Sequence, residues 1–452
     1  MIANLAEKLR RREVTSLQLV DSALQQIYET NPKLNAFITI LADAARKRAS
    51  ELDAEFAQGL DRGPLHGIPI AVKDLLHMRG VRTTAGSKLF ENHVATEDAE
   101  VVARLEKAGA VIVGKTALHE LAYGITSNNP HFGAVRNPRD PARIPGGSSG
   151  GSGAAVAAGI VPMAIGTDTG GSIRIPASFC GCAGLKPTYG RVSKRGVLPL
   201  GFSLDHIGPL AATVDDTAIT LNAIAGRDPL DPTTSPRPVE DYRPGTSAGL
   251  RGIRIGRPAN FYLDRLTPGV AARTGHAFQV AADLGAEIVN LPVGDVEAWN
   301  AAARVILLAE APAALEAHLH RRELFGADVL ALLDQGRLLP ATMYVQAQRL
   351  RSRMLRDVHK LWARVDCLFT PTTPTTAPLI GASQIDVGGA SEDVRLATTR
   401  LVRAVNLLGL PALSLPNGSD NAGLPVSLQI IAQPFAEKNL LRIGAVLEAS
   451  LG

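Results

Sequence analysis

The stretch from Ile144 to Arg174, IPGGSSGGSGAAVAAGIVPMAIGTDTGGSIR, constrains this chain more than any other. Two serine clusters framed by glycine, Gly146 to Gly151 and Thr167 to Ser172, stand at its two ends. Without a Cβ the backbone takes positive φ freely, so successive peptide N–H groups can converge on one point and bind negative charge there. Between the clusters, Gly153 to Gly159 has the alanine content of a tightly packed helix, and Val161 to Ile165 reads as a buried strand. A flexible Gly/Ser linker is not bracketed by regular elements in this way. The G-x-S-x-G expression fits Gly146 to Gly150, and again Gly147 to Gly151. A nucleophile elbow of that type needs a strand before it, however, and here the loop Asn137 to Pro145 precedes it.

The remaining composition narrows the choices. With 452 residues, 46% hydrophobic and 20% charged, the chain has ordinary globular composition and length for a large core. A formal charge of +4 without a Lys/Arg block gives no case for nucleic acid or a membrane surface as partner. There is no leader pattern, no apolar run long enough to cross a bilayer, and an odd set of cysteines, Cys180, Cys182 and Cys367, which together predict a cytoplasmic protein. His119 and His131 lack the spacing of metal ligands, and His318 and His320 read as a solvated helix face, so neither metal nor cofactor is expected.

In chain order, residues 1–60 read as helices, with Thr15 or Ser16 capping the first long one and Ala42 to Phe56 forming another. Ile68 to Val72 is a short β-type run that delivers Lys73 and Asp74 at its end. Gly109 to Thr116 satisfies the phosphate-loop expression G-x-x-x-x-G-K-[ST], but its β-branched residues lie between the glycines instead of before them. It is read as a helix Glu100 to Ala108, a turn at Gly109, a buried strand Val111 to Val113, and Lys115 outside that strand. Ala117 to Phe132 reads as a helix and loop whose Tyr123, Ile125, Thr126 and Asn129 line a pocket beside the serines. Residues 226–365 form a mainly helical region expected to supply the pocket wall, and residues 366–452 return strands that close the core. The expected architecture is a single α/β domain, 1–452, with 61–225 as its core and a mixed, twisted central sheet covered on both sides by helices.

The pattern GGSSGGS at Gly146 to Ser152, continued by Thr167-Asp-Thr-Gly-Gly-Ser-Ile-Arg-Ile-Pro176 and Gly184-Leu-Lys-Pro187, resembles the signature of the amidase signature family of serine hydrolases. The similarity runs from about Leu65 to about Asp216 and returns at Asn406 to Pro411 and Gly423 to Gln429. This resemblance implies a small amide-type substrate and a monomer or homodimer. It implies Ser172 as nucleophile, Ser148 as proton relay in a cis Gly147–Ser148 peptide, and Lys73 of the segment His66 to Asp74 as base. Backbone N–H groups of Thr169, Gly170, Gly171 and Ser172 are expected to hold the oxyanion, with Asp168, Arg174 and Ser149 in support and Asp205 and His206 bracing loops below. A lysine with an ordinary pKa of about 10.4 must be shifted down by burial to serve as a base near neutral pH. Two versions of the family remain open, a stand-alone hydrolase of amides, anilides or carbamates and the glutaminase subunit of a tRNA-dependent amidotransferase. The second requires an aspartate before the Asn-Leu-x-Gly-Leu-Pro segment, whereas Leu396 to Val405 contains no acid; Arg351 resembles its carboxylate-binding arginine.

Overall fold

The computed structural model describes residues 1–245 and 249–451. Its centre is one sheet of eleven strands. In chain order these are β1 (Phe37–Ile40), β2 (Pro69–Lys73), β3 (Val111–Thr116), β4 (Met163–Asp168), β5 (Ala183–Lys186), β6 (His206–Ala211), β7 (Arg254–Pro258), β8 (Glu287–Leu291), β9 (Cys367–Pro371), β10 (Ala412–Ser419) and β11 (Pro425–Ala432). Across the sheet they run β1-β3-β2-β4-β6-β5-β10-β11-β9-β7-β8. Strand β2 is parallel to both β3 and β4, β7 is parallel to β8 and β9, and the remaining neighbours are antiparallel. The sheet is mixed, as expected for this α/β fold, and the C-terminal strands lie in its interior. β10 and β11 lie in its middle, joining the signature half to a second half built from β7, β8 and β9.

Period-two alternation sorts the strand residues between two cores. Ile70 and Val72 of β2, Ile112 of β3, and Met163 and Ile165 of β4 face one apolar cluster. Ala71, Val111, Val113 and Ala164 face another, together with Ala154 and Ala155 of the helix Gly150–Ala157. Burial on both faces explains why these strands read as continuous apolar runs without alternation.

The same parity decides which lysine meets the serines. Lys73 follows Ala71 by two and shares its face, the one carrying the helix Gly150–Ala157. A bulge in β3 at the Ile70/Ala71 step pairs Lys115 with Val72, which turns Lys115 to the opposite face. Lys115 is therefore not outside the strand, as its position after Val113 suggests. It lies within β3, fully buried, at 2.7 Å from Asp74 Oδ1, and its Nζ donates to Thr83 Oγ1 at 2.5 Å. This lysine is held by a carboxylate and a threonine in the protein core, so the phosphate-loop expression carries no phosphate site.

Two other local expectations change. Ala117 to Phe132 contains no α-helix; its regular parts are a single 3-10 turn, Glu120–Ala122, and a two-residue strand, Asn128–Asn129. The mainly helical middle region does form long helices, Val296–Leu315 and Ala341–His359, but it also contributes β7 and β8 to one sheet edge. No helix among the described residues is long and apolar enough to cross a membrane.

Candidate active site

Parallel strands β2 and β4 end side by side, and the site lies beyond their carboxyl ends. Lys73 is the last residue of β2, and Asp168 the last of β4. The loop Thr169 to Ser172 then leads into the helix Arg174–Cys180. From the far side, the turn before the helix Gly150–Ala157 brings Ser148 and Ser149 over Lys73, and the Gly147–Ser148 peptide is cis.

Lys73 Nζ has three hydroxyl neighbours: Ser148 Oγ at 2.8 Å, Ser149 Oγ at 3.0 Å and Thr167 Oγ1 at 2.8 Å. It has no carboxylate within ion-pair distance among the described residues. Burial pushes its pKa down from 10.5 to about 7, against the weaker opposing pull of Asp168 and Asp205. The Ser149 hydroxyl already donates to Thr167 O at 3.1 Å, so its oxygen is left to accept from Lys73. With Ser149 and Thr167 taking two N–H bonds, the lone pair of a neutral Lys73 is left for the Ser148 proton.

Ser172 is nearly buried, with 6% of its surface exposed, and its hydroxyl has no hydrogen-bond partner among the described residues. Its carbonyl accepts from Ser149 N at 3.2 Å, which ties the two serine loops together. Ser127 pins the other turn, donating to Gly146 O at 2.8 Å and accepting from Gly150 N at 3.2 Å.

The Thr169 to Ser172 loop is shaped from below by Asp168. This carboxylate accepts from Gly171 N at 2.7 Å, Ile173 N at 3.2 Å, Asn406 Nδ2 at 2.8 Å and the Arg174 guanidinium at 3.0 and 3.1 Å. Burial alone would raise its pKa, but the Arg174 ion pair and these donors hold it well below the usual carboxylate range. Arg174 in turn donates to Gln429 Oε1 and Asn406 Oδ1, both at 2.6 Å, so the central strand β11 and the helix Arg403–Leu407 clamp the loop. Asn406 and Gln429 lie inside stretches that resemble the family, yet nothing in their spacing points to this contact across more than two hundred residues.

Geometry divides the expected site residues. Because the Gly171 N–H is taken up by Asp168, it is not free for an oxyanion, in contrast to the expectation; those of Thr169, Gly170 and Ser172 have no acceptor among the described residues. Gly171 is instead a packing requirement. Its φ is +120° and a Cβ there would stand 2.4 Å from Val402 Cγ2. Asp205 and His206 do brace loops: Thr169 Oγ1 donates to Asp205 Oδ1 at 2.5 Å, and His206 Nδ1 lies 2.6 Å from Leu204 O.

Of the four pocket candidates, two are in place. Tyr123 and Ile125 line a pocket of about 30 Å³ with Thr169, Gly170 and Ser172. Thr126 and Asn129 do not, because Asn129 bonds to the carbonyls of Gly86 and Leu118 and Thr126 lies 3.3 Å from His119 Nδ1. Both hold the irregular loop that replaces the expected helix. Arg351 also stays out of this pocket, its guanidinium bonded to Ser203 Oγ at 3.2 Å and Ser203 O at 3.1 Å. A larger apolar cavity of about 300 Å³ reaches Thr167 and Thr169 on the other side of the loop but not Ser172.

The amidase family profile matches residues 18–441. The chain belongs to the amidase signature family. It is 44% identical to an amidase of Pseudomonas putida over 451 residues, covering 99% of this chain and 95% of that protein. It is 42% identical to a glutamyl-tRNA(Gln) amidotransferase subunit of Roseiflexus sp. strain RS-1 over 468 residues, covering 98% and 94%. Among solved structures, it superposes with a TM-score of 0.95 and 39% identity on a chain from a vestigial protein complex that bears on the origins of an s-triazine catabolic enzyme, covering 99% of this chain and 98% of that one. The relatives thus include both amidases and amidotransferase subunits, and membership makes this chain a hydrolase of C–N bonds without choosing between them.

Proposed function

We propose that this protein is a stand-alone amidohydrolase of small amides, anilides or carbamates, working through a Ser172 acyl-enzyme with Ser148 as relay and Lys73 as base. The observation that carries this reading is the environment of Lys73: a buried amine with no carboxylate in ion-pair contact among the described residues, a pKa pushed down to about 7, and Ser148 Oγ at 2.8 Å. Ser172 Oγ attacks the amide carbonyl and passes its proton to Ser148, which passes its own to Lys73. The N–H groups of Gly170 and Ser172, with Thr169 beside them, stabilise the oxyanion. As the C–N bond breaks, the proton returns from Lys73 through Ser148 to the leaving nitrogen. Water then attacks the ester by the same relay in reverse and frees Ser172.

The stand-alone reading over the amidotransferase reading is supported by two features. Leu396 to Val405 offers no acid for an α-ammonium group, and Arg351 is tied to Ser203 away from Ser172.

The test is product release by the purified chain from an aryl anilide, an aryl carbamate, an aliphatic amide and glutamine. Wild type is expected to turn over at least one of the first three, and Ser172→Ala and Ser148→Ala to lose at least a thousandfold in kcat/KM. Ammonia from glutamine alone, or activity only once a partner protein is supplied, overturns the stand-alone reading. An unaffected Ser172→Ala overturns the mechanism.

A further inference from the structure

The pocket at Ser172 adjoins a second cavity of about 200 Å³, with which it shares Tyr123, Leu307, Arg395 and Arg403. Arg304 from the helix Val296–Leu315 completes a set of three guanidiniums around this space. Arg395 and Thr399 of the short helix Val394–Thr399 and Arg403 of the next helix, Arg403–Leu407, all line the pocket at Ser172.

None of the three arginines has a carboxylate within 4 Å among the described residues. Arg403 donates to Thr399 Oγ1 at 2.6 Å, Arg395 lies over the Tyr123 ring at 5.2 Å, and Arg304 has no hydrogen-bond partner among the described residues. Two acids stand nearby without touching the guanidiniums: Asp393 lines the same cavity and caps the helix Val394–Thr399 through Leu396 N, and Asp328 lies 3.0 Å from His119 Nε2. Arg400, by contrast, is fixed to the carbonyls of Arg265 and Phe261 and belongs to the scaffold. Burial, reinforced by repulsion from Arg395 and Arg304, pushes the Arg403 pKa down to about 10. Concentrated like charge of this kind, part-buried and with no carboxylate in ion-pair contact among the described residues, is costly unless something negative completes it. Arg403 also stands directly over the oxyanion loop, its Cγ 3.9 Å from where a Cβ of Gly170 would lie.

We propose that the substrate of this site carries a carboxylate, bound by Arg395 and Arg403 with Arg304 at the rim, a few bonds from the amide carbonyl presented to Ser172. This deepens the amidohydrolase reading and rests on it. Planar guanidiniums suit a carboxylate because each can offer two parallel N–H donors. The combined space of the two pockets suits a short molecule, such as the half-amide of a dicarboxylic acid. An amino acid amide with a free α-ammonium group is disfavoured by the same three charges.

The experiment has two arms. In the first, the full chain is offered malonamate, succinamate, glutaramate and adipamate beside the neutral amides of matching length. At least one half-amide is expected to exceed its neutral counterpart at least tenfold in kcat/KM. Arg395→Gln and Arg403→Gln should shrink that ratio at least tenfold, mainly through KM. In the second arm, calorimetric titration of Ser172→Ala with malonate, succinate and glutarate reads binding without turnover, and adding Arg304→Gln, an exposed position that leaves the core intact, should weaken it at least threefold. Neutral amides turned over as well as half-amides, with no dicarboxylate binding, overturn this proposal while leaving the amidohydrolase intact. Dicarboxylate binding lost with the arginines, without hydrolysis of any amide, retains the anion site and overturns the amidohydrolase instead.

Discussion

Replacing Lys73 by methionine separates what this residue does for chemistry from what it costs the fold. Its pKa lies near 7 in the folded chain and about 10.4 in the unfolded one, so between these values the unfolded state holds the extra proton. Stability therefore rises with pH across that window, and the contribution is lost as pH falls from 10.4 towards 7. At about 1.4 kcal/mol for each pH unit, the whole window is worth about 5 kcal/mol, and the accessible part from pH 7 to 9.5 about 3 kcal/mol. Unfolding entropy of about 2.1 cal/mol/K per residue makes that roughly 3 to 4 °C in Tm for a chain of this length. Other buried groups titrate as well, Lys115 and Lys186 among them, so the quantity to follow is the Tm of wild type minus that of Lys73→Met in identical buffers. This difference should climb by about 3 °C from pH 7 to 9.5, because methionine has no proton to lose. In parallel, wild-type kcat/KM on a substrate that does not titrate should fall to roughly one tenth of its plateau at pH 6 and keep falling tenfold per unit below that. A rate flat from pH 6 to 9, together with a constant Tm difference, would refute the assignment of Lys73 as a neutral buried base.

Two further substitutions probe the loop beneath the serines. Arg174→Met leaves the Asp168 carboxylate buried without its ion pair, and should lower stability by about 3 to 5 kcal/mol; adding Asp168→Asn should recover part of it, as measured by thermal unfolding. No recovery would mean that Arg174 acts through packing alone. Gly171→Ala forces a side chain into a φ of +120° and against Val402, which should cost about 2 to 4 kcal/mol and depress kcat more than KM, since the loop proposed to carry the oxyanion donors must move. An alanine variant of native Tm and rate would contradict the packing described for this turn.

Chemistry near Ile144 to Arg174 was legible in the sequence because it depends on residue type at short range. Glycines that permit the turns, the serines they frame, and the apolar runs of β2 and β4 are local properties, and with them come the fold class and the family. The identity of Lys73 as a residue at a strand end was equally local. What was not legible depends on parity and on long-range contact. A single bulge in β3 turns Lys115 away from the serines while Lys73 faces them, and no one-dimensional pattern records a bulge. Thr126 and Asn129 sit near Tyr123 in sequence but bond to an irregular loop, because the expected helix is only one 3-10 turn. Gln429 reaches Arg174 only because β11 inserts at the middle of the sheet, Asn406 because the helix Arg403–Leu407 packs beside it, and Arg304, Arg395 and Arg403 meet only because three helices from two distant parts of the chain line one cavity. The sequence by itself thus determined the family, the sheet-and-helix architecture and the kind of bond attacked. Tertiary structure alone decided which of the buried lysines faces the serines and where positive charge gathers, since burial and electrostatics are set by everything that surrounds a group in space.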